Sequence, residues 1–148
     1  MVEPPPENGV FLFKNGSWVK VNNDFWYPKE DGVYVVFFMN VRCPACKRYW
    51  NLAISKFLEK DITKFGNKLR IIYVKCDWFA KECRDETAKN TFLVYLVSAS
   101  PTTIIIKVEK GKGIYAERYE GRLPYDKLIA IVQEFGERVK KYKDSEVK

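Results

Sequence analysis

Hydrophobic positions along the chain change period in a definite order, and each change predicts an element. Val10-Phe11-Leu12-Phe13 and Ser17-Trp18-Val19-Lys20-Val21 are short apolar runs on either side of Lys14-Asn15-Gly16. Asn-Gly between such runs predicts a β-hairpin. Asp31-Gly32 reads as a turn. The run from Val33 to Met39 is apolar throughout, β-branched or aromatic at nearly every position, and predicts a buried strand. Apolar residues then recur at 49, 50, 53, 54, 57, 58, 62 and 65. That spacing predicts a helix from Cys43 to about Phe65, with Gly66 placed to stop it. Leu69 to Lys75 reads as the next strand. A strand, a long helix and a strand predict a parallel pair.

The second half continues the alternation. Residues 76 to 85 are a charged loop, and a helix is expected over about 86–96, broken by Ser98-Ala99-Ser100-Pro101. Thr102 to Val108 is a strand, Lys110-Gly111-Lys112-Gly113 turns the chain, and Ile114 to Tyr119 returns antiparallel, with Gly121 ending the hairpin. Pro124 suits the first position of a last helix, whose inner face is Leu128, Ile131, Val132, Phe135 and Val139. The Pro-rich residues 1–8 are expected to form an extended arm without packing of their own. Phe25, Trp26 and Tyr27 are expected to dock on the core. The expected organisation is one α/β domain: an arm and hairpin over 1–30, a core over 33–142, and a Lys-rich tail over 143–148 that frays.

Composition narrows the function classes. The chain has 148 residues, 47% hydrophobic and 16% aromatic, enough for one packed core. The net charge is +7, from 26 basic and 19 acidic residues. The basic residues are spread out and have acidic neighbours, which favours a solvated mixed-charge surface over a nucleic-acid or lipid site. Tyr115, Tyr119 and Tyr125 accordingly read as packing residues rather than a stacking platform. No histidine is present. That removes Ser-His and Cys-His hydrolase chemistry and every His-liganded metal site. No run approaches the roughly 20 apolar residues of a membrane span. Met1 to Glu7 lacks the basic start and apolar stretch of a secretory signal. A cytoplasmic, monomeric protein is expected. A lean toward Lys, Glu, Ile, Val and Tyr, with a single Gln, is the bias of heat-adapted proteins.

Chemistry concentrates at Cys43-Pro44-Ala45-Cys46, where the buried strand meets the helix. Two intervening residues place both sulfurs on one side of a helical turn, within bridging reach. Cys43 faces unpaired N–H groups and the positive end of the helix dipole, with Arg42 next to it. Both favour thiolate, so its pKa is expected below the free value of about 8.5. Cys46, one turn in, is expected to be more buried and less reactive. Pro44 sacrifices no hydrogen bond at an early helical position. Redox chemistry is the favoured reading of the pair. Two inert core thiols, or half of a zinc site completed by Cys76 and Cys83, are the alternatives. For Cys76 and Cys83 themselves three readings stay open: a structural disulfide, two free thiols, or a second redox pair relaying electrons to the first. Trp50, Trp78 and Phe79 read as core rather than as an exposed partner patch.

From residue 33 to 142 this order of elements resembles the thioredoxin fold. The anchors are Cys43-Pro44-Ala45-Cys46 after the strand, Ser100-Pro101-Thr102 opening a later strand, and Gly121 after the last hairpin. The resemblance implies a central mixed sheet flanked by helices, here with an added N-terminal hairpin, and a thiol-disulfide oxidoreductase. It implies Cys43 as nucleophile and Cys46 as resolver. It also implies a cis Pro101 packed on the cysteine pair, and a Ser100 backbone that pairs with an extended substrate. Arg42, Pro44, Ala45 and Gly121 would border the same substrate site. Implied substrates are protein disulfides or dithiols, with a thioredoxin-reductase-like electron donor and no cofactor beyond the Cys43–Cys46 couple. A non-catalytic protein-binding module with a structural disulfide is the alternative. Two departures matter. Arg42 and Pro44-Ala45 replace the Trp and Gly-Pro of thioredoxins, so a couple less reducing than about −270 mV is expected. Phe37 stands where thioredoxins bury an Asp, six residues before the first cysteine, and no other residue suggests itself as the proton carrier for Cys46.

Overall fold

The computed structural model describes residues 2–66 and 68–146. Six strands form one sheet: β1 (Gly9–Lys14), β2 (Ser17–Val21), β3 (Gly32–Asn40), β4 (Leu69–Cys76), β5 (Thr102–Glu109) and β6 (Lys112–Glu120). Their order across the sheet is β2-β1-β4-β3-β5-β6. The expected parallel pair is β3 with β4, Val33 opposite Leu69 through Asn40 opposite Cys76. β5 runs antiparallel to β3, and β6 antiparallel to β5. The N-terminal hairpin is part of the sheet, because β1 pairs antiparallel with β4.

β3 is buried on both faces, which is why its sequence lacks alternation. Val35, Phe37 and Met39 enter one core with Tyr49, Trp50, Phe57, Leu128 and Phe135. Tyr34, Val36 and Phe38 enter the other with Trp26, Phe92, Val74 and Ile104. The first core lies under α1 (Pro44–Tyr49) and its continuation, and under α3 (Tyr125–Gln133) and α4 (Phe135–Glu146); the second lies under α2 (Glu86–Val94). Asp85 caps α2, accepting from the Ala88 N–H.

Four expectations change. The helix after Cys43 is α-helical only to Tyr49. It continues through π turns at Trp50–Ile54 and Phe57–Asp61 and a 3₁₀ turn at Ile62–Phe65. The stripe explains this: Tyr49, Ala53, Phe57, Asp61 and Phe65 repeat every four residues, as do Trp50, Ile54, Leu58 and Ile62. In an α-helix a four-residue repeat drifts about 40° per turn. Widened i→i+5 turns bring the stripe back onto the sheet. Second, the last helix is two, with the break at Glu134, and Pro124 caps α3 from outside (ψ 152°) rather than occupying its first turn. Third, α4 runs to Glu146 and Lys143 pairs with Glu109, so the expected fraying tail is helical as far as it is described. Its last two residues lie outside the described residues. Fourth, the N-terminal arm is packed. Pro5 and Asn8 are buried. Trp18 Nε1 donates to the Glu3 carbonyl at 2.9 Å, Trp50 Nε1 to the Val2 carbonyl at 3.2 Å, and Lys75 Nζ to the Pro5 carbonyl at 2.7 Å. Arm carbonyls are the acceptors that three large side chains need when they approach burial.

Candidate active site

The site grows from the end of β3. Asn40 is the first polar residue after a wholly apolar run, and it is buried. Its Oδ1 accepts the Phe79 N–H at 2.7 Å. The next two residues are tied to the following loop: the Val41 N–H donates to the Cys76 carbonyl (2.9 Å) and the Arg42 N–H to the Asp77 carbonyl (3.3 Å). The chain then enters α1 with Cys43 as an extended N-cap residue and Pro44 in the first turn.

Cys43 and Cys46 are free thiols. The Cys46 N–H, an otherwise unpaired donor of the first turn, donates to Cys43 Sγ at 3.0 Å. Cys46 Sγ accepts the Asn40 N–H at 3.5 Å and lies 2.9 Å from the Ser100 hydroxyl. Cys43 Sγ lies 3.7 Å from the Ser100 carbonyl as a weak S–H donor. Burial, with the hydrogen bond to Cys43 adding to it, pushes the Cys46 thiol up to about 12. The expected contrast in burial between the two residues is absent: the cysteines are 4% and 3% exposed. They differ in partners, not depth.

The other site residues fall as follows. The Ser100–Pro101 peptide is cis. Gly121, at φ 93°, donates its N–H to the Pro101 carbonyl at 2.8 Å, fixing the end of β6 against the start of β5. Pro44 and Arg42 are exposed and Ala45 partly so. The Arg42 guanidinium pairs with Glu82 at 2.8 Å, so the cation expected beside Cys43 is shared with a carboxylate. Phe37 is fully buried, opposite Tyr73 on β4 and Thr103 on β5, with its ring edge-on to Tyr49 at 5.9 Å. Among the described residues, its strand and ring neighbours Tyr73, Thr103 and Tyr49 carry no carboxylate.

Cys76 and Cys83 are joined in a disulfide, Cα atoms 4.6 Å apart. The bond excludes two free thiols, is common to a structural disulfide and an oxidised second redox pair, and removes both cysteines from any four-cysteine zinc set. The bridge closes the loop whose Cys76 and Asp77 carbonyls hold the backbone ahead of Cys43. Replacing both cysteines by alanine is expected to cost about 2.5 kcal/mol by the loop-entropy relation. Urea unfolding of the oxidised chain and the double variant measures it, and equal midpoints would remove the bridge's structural role. Within this loop Trp78 is 40% exposed, edge-on to Phe79, so of the aromatic trio Trp50 is core, Phe79 is partly buried against the second core, and Trp78 departs from the core reading.

Sequence reasoning missed Asn40 and the hydroxyl of Ser100. The first carried a signal, a lone polar residue closing an apolar strand. The second carried none, because its contact with Cys46 depends on how the 97–101 loop folds back.

A mixed sheet with helices on both faces, and a free thiol pair at the junction of a central strand and its helix, define a class: thioredoxin-fold proteins with an intact CxxC. The sequence profile described as thioredoxin-like matches residues 31–113. The chain belongs to the thioredoxin-like family. No curated protein sequence matches it. Among solved structures it is similar to a thioredoxin from Aeropyrum pernix, at 16% identity and TM-score 0.55, covering 87% of this chain and 95% of that one. It is also similar to thioredoxin-2 of the malaria parasite, described as a component of that parasite's protein secretion machinery. There the identity is 18% and the TM-score 0.51, with 78% of this chain and 98% of that one covered. These likenesses are of fold.

Proposed function

We propose that the chain is a thiol-disulfide oxidoreductase acting on protein disulfides. One observation carries the reading: two free thiols share a single helical turn, a backbone N–H points at Cys43 Sγ, and both sulfurs border Ser100. In the reducing direction Cys43, as thiolate, attacks one sulfur of a partner disulfide. The partner's other sulfur leaves with the bonding electron pair, and a mixed disulfide joins Cys43 to the partner. Cys46 then attacks Cys43 Sγ, closing the Cys43–Cys46 disulfide and releasing the second partner sulfur. Two electrons pass from the pair to the partner. The couple itself is the redox group, so no further cofactor is invoked. A reductase or dithiol partner returns the electrons.

Arg42, Pro44, Ala45, Pro101 and Gly121, with the Ser100 backbone, are proposed as the surface against which the partner segment lies. The reading also takes the chain as a monomer in the cytoplasm, where such a couple is kept cycling.

The test is dithiothreitol-driven reduction of insulin, followed by turbidity. Cys43→Ser is expected to lower the protein-dependent rate at least about 100-fold, to the uncatalysed background. A variant as active as wild type would transfer the fold to the binding-module reading.

A further inference from the structure

Resolution of a mixed disulfide requires the Cys46 thiol to lose its proton inside the protein, and the residue at Phe37 offers no carboxylate to take it. Around Cys46, from the turn of α1 come Cys43, which is bonded to the partner during resolution, and Lys47, which is exposed. From β4 come Tyr73 and Lys75, and from the arm Glu3; these line one cavity of about 280 Å³ with Cys46. Tyr73 is held protonated by burial, with the two thiols reinforcing the effect. Lys75 donates to the Pro5 carbonyl. β3 supplies only the Asn40 N–H, a donor that cannot accept a proton. Among the described residues, the one side-chain group other than Cys43 in hydrogen-bond contact with Cys46 Sγ, and able both to give and to accept a proton, is the Ser100 hydroxyl at 2.9 Å.

Resting on the oxidoreductase reading, we propose that Ser100 is a catalytic residue whose hydroxyl carries the Cys46 proton during resolution, in addition to any role of its backbone in holding the partner. Ser100 touches both sulfurs, Cys46 through its side chain and Cys43 through its carbonyl at 3.7 Å. It therefore borders the sulfur where the partner is attached. In the step, Cys46 Sγ bonds to Cys43 Sγ and the bond from Cys43 to the partner breaks. Its electron pair leaves on the partner sulfur. The Cys46 proton passes to Ser100 Oγ while the hydroxyl's own proton passes to the departing sulfur, which leaves as a thiol. No outside acid, base or oxidant is consumed.

Ser100→Thr and Ser100→Val form an isosteric pair that differs in the hydroxyl alone. Each is mixed with a synthetic peptide disulfide, quenched in acid, and the mixed disulfide on Cys43 is followed by mass spectrometry. In Ser100→Val resolution is expected to slow about tenfold or more relative to formation, as loss of a positioned proton carrier predicts. The mixed disulfide accumulates, and the pH at which resolution accelerates moves upward. Ser100→Thr is expected to stay within about threefold of wild type at every pH. Equal resolution rates and equal pH profiles for Thr and Val overturn the proposal. If Val fails to fold, Ser100→Ala is read in the same way. Failure of the oxidoreductase reading shows separately, as wild type that forms no mixed disulfide at Cys43, and the proposal falls with it.

Discussion

Above about pH 10 the fold is expected to lose stability steeply. Burial raises the hydroxyl pKa of Tyr49 and of Tyr73 above the ordinary tyrosine value, and pushes Tyr95 up to about 12. Burial, with a hydrogen bond to Glu117, takes Tyr119 to about 12 as well. All these groups hold their protons more tightly folded than unfolded. Their contribution is therefore fully present below the unfolded value of about 10, and is lost as pH rises through the folded values. Each tyrosine that stays protonated while its unfolded counterpart ionises lowers stability by about 1.4 kcal/mol per pH unit. Tyr49 and Tyr73, both buried, give about 2.7 kcal/mol per unit between them. A domain with the usual 5–15 kcal/mol in hand unfolds within a few such units. Urea midpoints at about pH 8, 9, 10 and 11, with tyrosinate absorbance recorded in parallel, measure this. Midpoints that stay level to pH 11 would show that these hydroxyls are wetter than described.

Replacing Phe37 with alanine is expected to cost about 3–5 kcal/mol, the range for emptying a large aromatic from a core. The position sets the size of the effect. Phe37 sits mid-strand between two paired neighbours, its ring lies against Tyr49, and no solvent reaches it. Tyr49 cannot move to fill the gap without breaking the 2.7 Å hydrogen bond between its hydroxyl and Thr103. Phe37→Leu keeps most of the volume and is expected to cost less than about 1.5 kcal/mol. Denaturant unfolding of the two variants measures the difference. An alanine variant within about 1 kcal/mol of wild type would mean the core closes over the gap. The experiment also bears on the missing acid. A position this dry holds a carboxylate only at a large desolvation cost, and here the chain spends it on packing.

Much of the architecture was legible because local signals agreed with one another. Lys14-Asn15-Gly16, the unbroken apolar run before Asn40, and the Gly-rich turn at 110–113 each mark one element, and all three appear where read. The placement of the cysteine pair was legible for the same reason: its spacing and the strand-to-helix junction put both free thiols in one helical turn. What escaped depends on contacts distant in sequence. A Pro-rich arm looks unstructured until Trp18, Trp50 and Lys75 are seen to need its carbonyls. The four-residue repeat from Tyr49 to Phe65 was visible as a stripe, but a short stripe fits α and π turns alike until the sheet beneath it fixes the face. Two cysteines seven apart permit a bond or free thiols; only the backbone path that returns Cys83 to the end of β4 decides for the bond.

Because the second bridge grips the backbone leading to the first pair, the two couples share a wall. If both pairs titrate, potentiometry on the wild-type chain registers four electrons; if the bridge is structural alone, it registers the two of a minimal CxxC protein. Indole emission offers a way to separate them: Trp78 lies inside the loop that one bridge closes, and Trp50 one turn beyond the other pair.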